Sequence, residues 1–268
     1  MFFSRRKMSN VLLSEETLQM DSPIEGRKGL SARRQRLEPS EEFFTIRGVV
    51  RVTRILFVLL LIGGAIGWRA TDVSPVFISL PGWLLPAALA GVALAFVAYM
   101  KPSIARIVAP IYAVVEGLLL GSITKVYEYT FEGIALQAAL LTIGVFGTML
   151  WLYSARIVKV TGKMRRFIIG STVAIMGVYL FQLLMNLFGV NFQTPFLHDS
   201  GPVGIVISLV VVVIASMHYL LDFDLIEKAV ASKAPKEVEW LAGFGLLLTT
   251  IWVYLEILRL LAKMRSND

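Results

Sequence analysis

Residues 240–261 read WLAGFGLLLTTIWVYLEILRLL, and the only charges among them are Glu256 and Arg259. The hydrocarbon core of a bilayer is about 30 Å thick and takes roughly 20 apolar residues as helix. This stretch is long enough to cross it. An ionised side chain near the centre of a spanning helix costs about 2.5–3.5 kcal/mol even on the mild insertion scale. Glu256 therefore needs a reason to be there. One reason is local: Arg259 follows three residues later, on the same helix face. The other is a function that uses a carboxyl inside the membrane.

Six more apolar stretches precede it: Val49–Ala70, Leu80–Met100, Ile104–Thr124, Gly133–Tyr153, Phe167–Val190 and Gly204–Phe223 or slightly beyond. Short connections join them, as in an antiparallel bundle. The expected fold is an all-α membrane protein, a seven-transmembrane-helix bundle over residues 48–268. Its partner along most of its surface is the lipid bilayer, which explains 56% hydrophobic residues where a soluble domain has about 45–50%. Frequent glycines suit helices that approach closely where lipid supplies no hydrophobic drive. No internal repeat stands out, which disfavours the inverted-repeat transporters.

Residues 1–47 mix charges of both signs with Ser, Gly and Pro. Such a segment cannot bury enough apolar area to offset chain entropy, so a disordered tail is expected there. No early apolar run with a cleavage site is present, so a cleaved signal peptide is not expected. Lys and Arg number 21 on the tail's side of the spans and 5 on the other. That asymmetry reads as topology, with a cytoplasmic N-terminus in a multi-pass protein of the cell (inner) membrane, rather than as nucleic-acid binding. Seven crossings leave the basic C-terminus outside. A re-entrant last segment would remove that conflict, but its length favours a true span.

Cysteine is absent and histidine is limited to His198 and His218, which excludes disulfides and Cys/His metal sites. No phosphate-binding glycine loop, HExxH zinc motif or serine triad occurs, so neither an enzyme nor a bound cofactor is expected. The acids carry what chemistry there is. The sixth stretch ends His218-Tyr-Leu-Leu-Asp222-Phe-Asp224-Leu-Ile-Glu227-Lys228, and the seventh holds Tyr254-Leu255-Glu256. A helical hairpin can face Asp222, or Asp224 in another register, toward Glu256. Two carboxyls in one low-dielectric site do not easily ionise together, so their titration moves up toward neutral pH. Alternatively, Asp222, Asp224 and Glu227 form a polar cap at a helix end. Glu116 is central in the third stretch with no adjacent cation, either lining a cation path or bonded to another helix.

At these residues the chain resembles the Bax-inhibitor family, in its bacterial YccA/YetJ-like branch. The carriers are the Leu-Leu-Asp222-Phe-Asp224 ending, Tyr254-Leu255-Glu256, and Pro110-Ile-Tyr-Ala-Val-Val-Glu116-Gly in the third stretch, within about Phe44–Met264. The resemblance implies a seven-helix fold with the last helix near the centre. It implies a pH-sensitive Ca²⁺ leak gated by an acidic pair, Asp222 or Asp224 with Glu256, where the family pattern has Asp at the second position. Lys101 or Arg106, at the junction of the second and third helices, takes the role of a basic latch. Asp222 and Glu256 would then be weak Ca²⁺ ligands, with Ca²⁺ or another cation as cargo. The other expectation is a regulatory protein that modulates a membrane AAA protease through its N-terminal tail.

Overall fold

The computed structural model describes residues 43–73, 78–79, 82–189 and 201–266. The expected tail lies, up to residue 42, outside the described residues. From Phe44 the chain forms one compact unit. Its described residues build α1 (Ile46–Ala70), a short antiparallel pair β1 (Asp72–Val73) and β2 (Ile78–Ser79), α2 (Leu84–Met100) and a 3₁₀ turn (Pro102–Ile104). Then follow α3 (Ala105–Thr130), α4 (Ile134–Ser154), α5 (Gly162–Leu187), α6 (Pro202–Ala231) and α7 (Val238–Arg265). Six of the helices are long and apolar enough to cross a membrane; α2, at 17 residues, is shorter.

The ends are set by local chemistry. Thr45, extended, accepts a hydrogen bond on Oγ1 from Gly48 N at 3.0 Å and starts α1. Glu128 near the end of α3 accepts from Gly133 N (2.7 Å) and Ala135 N (2.8 Å), so one carboxylate caps the start of α4. Thr161 caps α5 and Pro202 opens α6, where a missing N–H costs nothing.

α1 and α3 meet backbone to backbone. A Cβ on Gly63, Gly67, Gly117 or Gly121 would collide with a main-chain carbonyl of the other helix. These glycines stand four apart on each helix, the small-residue spacing that lets membrane helices close up. Ser122 Oγ reaches across this seam to Gly67 O at 3.2 Å. The buried stripe of α1, from Val49 through Val52, Leu56 and Leu60 to Gly63 and Gly67, follows the helical repeat. Its other face leaves Val58, Leu61 and Ile66 exposed, as lipid contact requires.

α7 packs against α1, α3, α4 and α6. Of its most apolar 18-residue window 67% is buried, against 6% for α5. Phe244 of α7 stands edge-on to Tyr112 of α3, with ring centroids 5.0 Å apart. α5 instead lies along α6, and Ile168 is the single fully buried position among its described residues.

α6 continues eight residues past the Phe223 at which the apolar run ends, carrying Asp224 and Glu227 within the helix. α3 likewise runs on to Thr130, beyond the expected Thr124.

Candidate functional site

The acids of α6 and α7 are spread over several interfaces, facing α4, α5, one another's helix and the start of α1. Asp222 accepts a hydrogen bond on Oδ2 from Thr249 Oγ1 of α7 at 2.6 Å. Its Oδ1 lies against Gly245, one turn back on α7, where an added Cβ would stand 3.4 Å away. Asp222 is nine residues from the end of α6 at Ala231, so it sits about 14 Å inside the helix. Tyr99 of α2 and Tyr219 lie within electrostatic range of it. Among the described residues no basic side chain forms an ion pair with Asp222.

Glu256 is only 1% exposed and has a different set of partners. Oε1 accepts from Tyr179 OH of α5 (2.9 Å) and from Trp252 Nε1 (3.1 Å), and Oε2 accepts from Arg259 Nη1 (2.9 Å). Arg259 also donates to Tyr179 OH at 2.5 Å and stacks on its ring at 5.0 Å. Thr249, the α7 partner of Asp222, precedes Glu256 by seven residues, about 10.5 Å along the helix. The structure thus does not bring Asp222 and Glu256 together. Each is satisfied at its own depth, and the local partner Arg259 neutralises Glu256. Two bare carboxylates in contact would repel, whereas a carboxylate with a guanidinium and two further donors is a satisfied buried ion.

Asp224 and Glu227 lie nearer the C-terminal end of α6 and are held by cations. Asp224 Oδ2 takes Arg165 Nη2 of α5 at 2.8 Å and Lys228 Nζ at 2.5 Å. Glu227 takes a two-pronged Arg156 guanidinium, at 2.5 and 3.2 Å, and the Tyr153 hydroxyl. The hydrogen bond to Glu227 holds the Arg156 guanidinium above its usual range. Arg156 sits in the turn after α4 at φ 58°, a conformation that few side chains adopt.

Glu116 stands midway along α3, with its Oε2 2.9 Å from where a Cβ on Gly91 of α2 would be. Its carboxyl therefore faces the α2–α3 interface, with the Tyr112 hydroxyl as a side-chain partner. Lys101 and Arg106 are exposed, and neither makes an ion pair among the described residues. The basic groups that do hold acids are Arg156, Arg165, Lys228 and Arg259.

Sequence reasoning missed two features. Arg165, Thr172 and Tyr179 of α5 recur at intervals of seven, and each bonds into the unit. Thr172 Oγ1 donates to Ile168 O and lies 2.6 Å from His218 Nε2. With the hydroxyl proton spent on that carbonyl, Nε2 of His218 is the donor. The seven-residue period of polar side chains in an apolar helix was the available signal. The second feature is Glu239, 2% exposed, whose Oε1 accepts from Thr45 N and Thr45 Oγ1 at 2.9 Å each. It fills the space a Cβ on Gly48 would take and lies at the positive end of α1.

No curated protein matches the chain. Nearly its whole length, residues 10–266, matches the family described as Bax inhibitor 1 like, and the protein, a multi-pass arrangement of apolar helices with acids inside, belongs to that family.

Proposed function

We propose that this protein is a pH-sensitive leak for cations, Ca²⁺ foremost, in the cell membrane, as a member of the bacterial YccA/YetJ-like branch. The reading takes all seven helices as crossings, with α7 innermost and the N-terminus cytoplasmic. One observation carries it. Asp222 lies inside the α6–α7 interface with a threonine for a partner and no paired cation among the described residues. A carboxyl at that depth is costly and is kept where ions or protons use it. The other α6 acids and Glu256 are already neutralised.

In this reading Asp222 is the ion contact, and Glu116 at similar depth on α3 is a second. Glu256 with Arg259 and Tyr179 serves as a closed clasp toward the opposite end. Hard carboxylate oxygen suits Ca²⁺, and so few ligands would hold the ion weakly, as passage demands. A protonated Asp222 offers no charge to a cation and an ionised one does, so flux rises with pH. No Lys101 or Arg106 pairing to Asp222 opposes that sign.

The test is Ca²⁺ entry into proteoliposomes across about pH 5.5–8, where perturbed carboxyls titrate. Wild-type flux should climb with pH, while Asp222→Asn stays low and flat and Glu116→Gln weakens the response. A full pH response in the double variant sinks the gate. Absence of flux at every pH moves the reading to a modulator of a membrane AAA protease. Deleting the first 40 residues would then abolish the effect on the protease.

A further inference from the structure

Where α1, α3 and α7 begin, a cavity of about 560 Å³ opens at one end of the unit. Arg51 of α1, Ser103 of the 3₁₀ turn, Arg106 and Ile107 of α3, Lys236 of the α6–α7 connection and Trp240 of α7 line it. We propose that this cavity binds the phosphoryl headgroup of an anionic lipid.

Three cations from three separate segments converge here. Among the described residues, the side chains of Arg51, Arg106 and Lys236 make no ion pair. The arginines and lysine of the α5–α6 end clusters, by contrast, are spent on carboxylates. Two acids also touch the cavity. Glu239 is committed, with its carboxylate turned to Thr45 and the start of α1. Glu237 is exposed, so the lining carries three positive charges against two negative ones, one of them buried and turned away to Thr45. Arg47 and Arg54 share the face of α1 that carries Arg51 and strengthen the same field.

A phosphodiester fits these donors. It carries one negative charge, guanidinium groups grip its oxygens in pairs, and Ser103 adds a hydroxyl. The rim distinguishes a lipid from a free anion. Ile107 is 61% exposed and Trp240 is half-buried beside the cations. An apolar residue and an indole at the level where spanning helices begin are the surroundings of a headgroup with its chains running down the helices. Basic pockets between spanning helices are filled by lipid headgroups for this reason. The inference is independent of ion passage: it uses other residues, and binding is its readout.

The full-length protein in uncharged detergent is offered phosphatidylglycerol and phosphatidylcholine, and retained lipid is counted by native mass spectrometry. Phosphatidylglycerol should be retained preferentially. Arg106→Gln should weaken its retention by about fivefold and the Arg51→Gln/Arg106→Gln/Lys236→Gln variant by about a hundredfold. Arg166→Gln, outside the cavity, should match wild type. Thermal melts without lipid check that every variant is folded; because Arg106 is exposed, its single variant keeps the test alive if the triple one fails to fold. Undiminished preference for phosphatidylglycerol in Arg106→Gln and the triple variant overturns the site. A second arm adds inorganic phosphate to lipid-free protein. If phosphate raises the melting point as far as phosphatidylglycerol does, and the triple variant loses that gain, the cavity takes free phosphoryl anions and the lipid assignment falls.

Discussion

The α1–α3 seam and the seam that α5 makes with α6 and α7 are opposite solutions to joining helices in lipid. The first is built from absence. Gly63, Gly67, Gly117 and Gly121 remove side chains so that two backbones touch along two turns. The second is built from polar groups. Arg165, Thr172 and Tyr179 tie α5 to Asp224, His218 and the Glu256–Arg259 pair, while most of the other described positions on that helix are exposed. Backbones in direct contact leave little room to shift, because close-packed interiors resist compression. Separate hydrogen-bonded links can open one at a time. The expected contrast is therefore a rigid glycine seam and an α5 that opens more readily.

The largest effect should come from Gly117→Val with Gly121→Val. Each adds atoms where a facing carbonyl already sits, and overpacking of this kind costs upwards of about 3 kcal/mol. Size-exclusion chromatography in detergent should find no monodisperse protein. A normal peak would break the claim that this seam cannot give. Next is Arg259→Met, which strands Glu256 as an unpaired buried charge at a cost of about 3–5 kcal/mol. Thermal melts should show the loss, and Glu256→Gln with Arg259→Met should recover most of it. Failure of that rescue would mean the pair does more than neutralise. Smaller again is Tyr179→Phe, which removes one hydroxyl shared by Glu256 and Arg259 and should cost about 1 kcal/mol. Thr172→Val, deleting the link to His218, should cost roughly 0.6 kcal/mol. Amide hydrogen exchange sharpens the contrast without mutation: α5 should exchange well before α1 and α3.

Much of the architecture was legible because lipid imposes one rule on every spanning segment. Runs of apolar residues at Val49–Ala70 and Trp240–Leu261 mark α1 and α7 to within a few residues. The sequence allowed α6 to run slightly past Phe223 but did not show its full course to Ala231. Asp224 and Glu227 read as a helix end, yet they continue the helix because Arg165 and Arg156, 59 and 71 residues away, neutralise them. No local pattern records a partner that distant. The Glu256–Arg259 pair was legible because it lies within one turn of sequence. The pairing of Asp222 with Glu256 required knowing the depth of each acid, which depends on how α6 and α7 register. Thr249 fixes that register, and nothing in its surroundings in sequence sets it apart from Thr250.

The glycine seam also implies a delay in assembly. The Gly67 carbonyl and the Ser122 hydroxyl that meet across it are 55 residues apart. A ribosome adding about 5–20 residues each second leaves α1 waiting roughly 3–11 s for its mate. α7 follows in sequence all four helices that it packs against. It carries its carboxylate and guanidinium three residues apart on one face. A helix that comes after its neighbours thus carries its own counter-ion, so the pairing of those two charges depends on one turn of its own sequence and not on a partner helix.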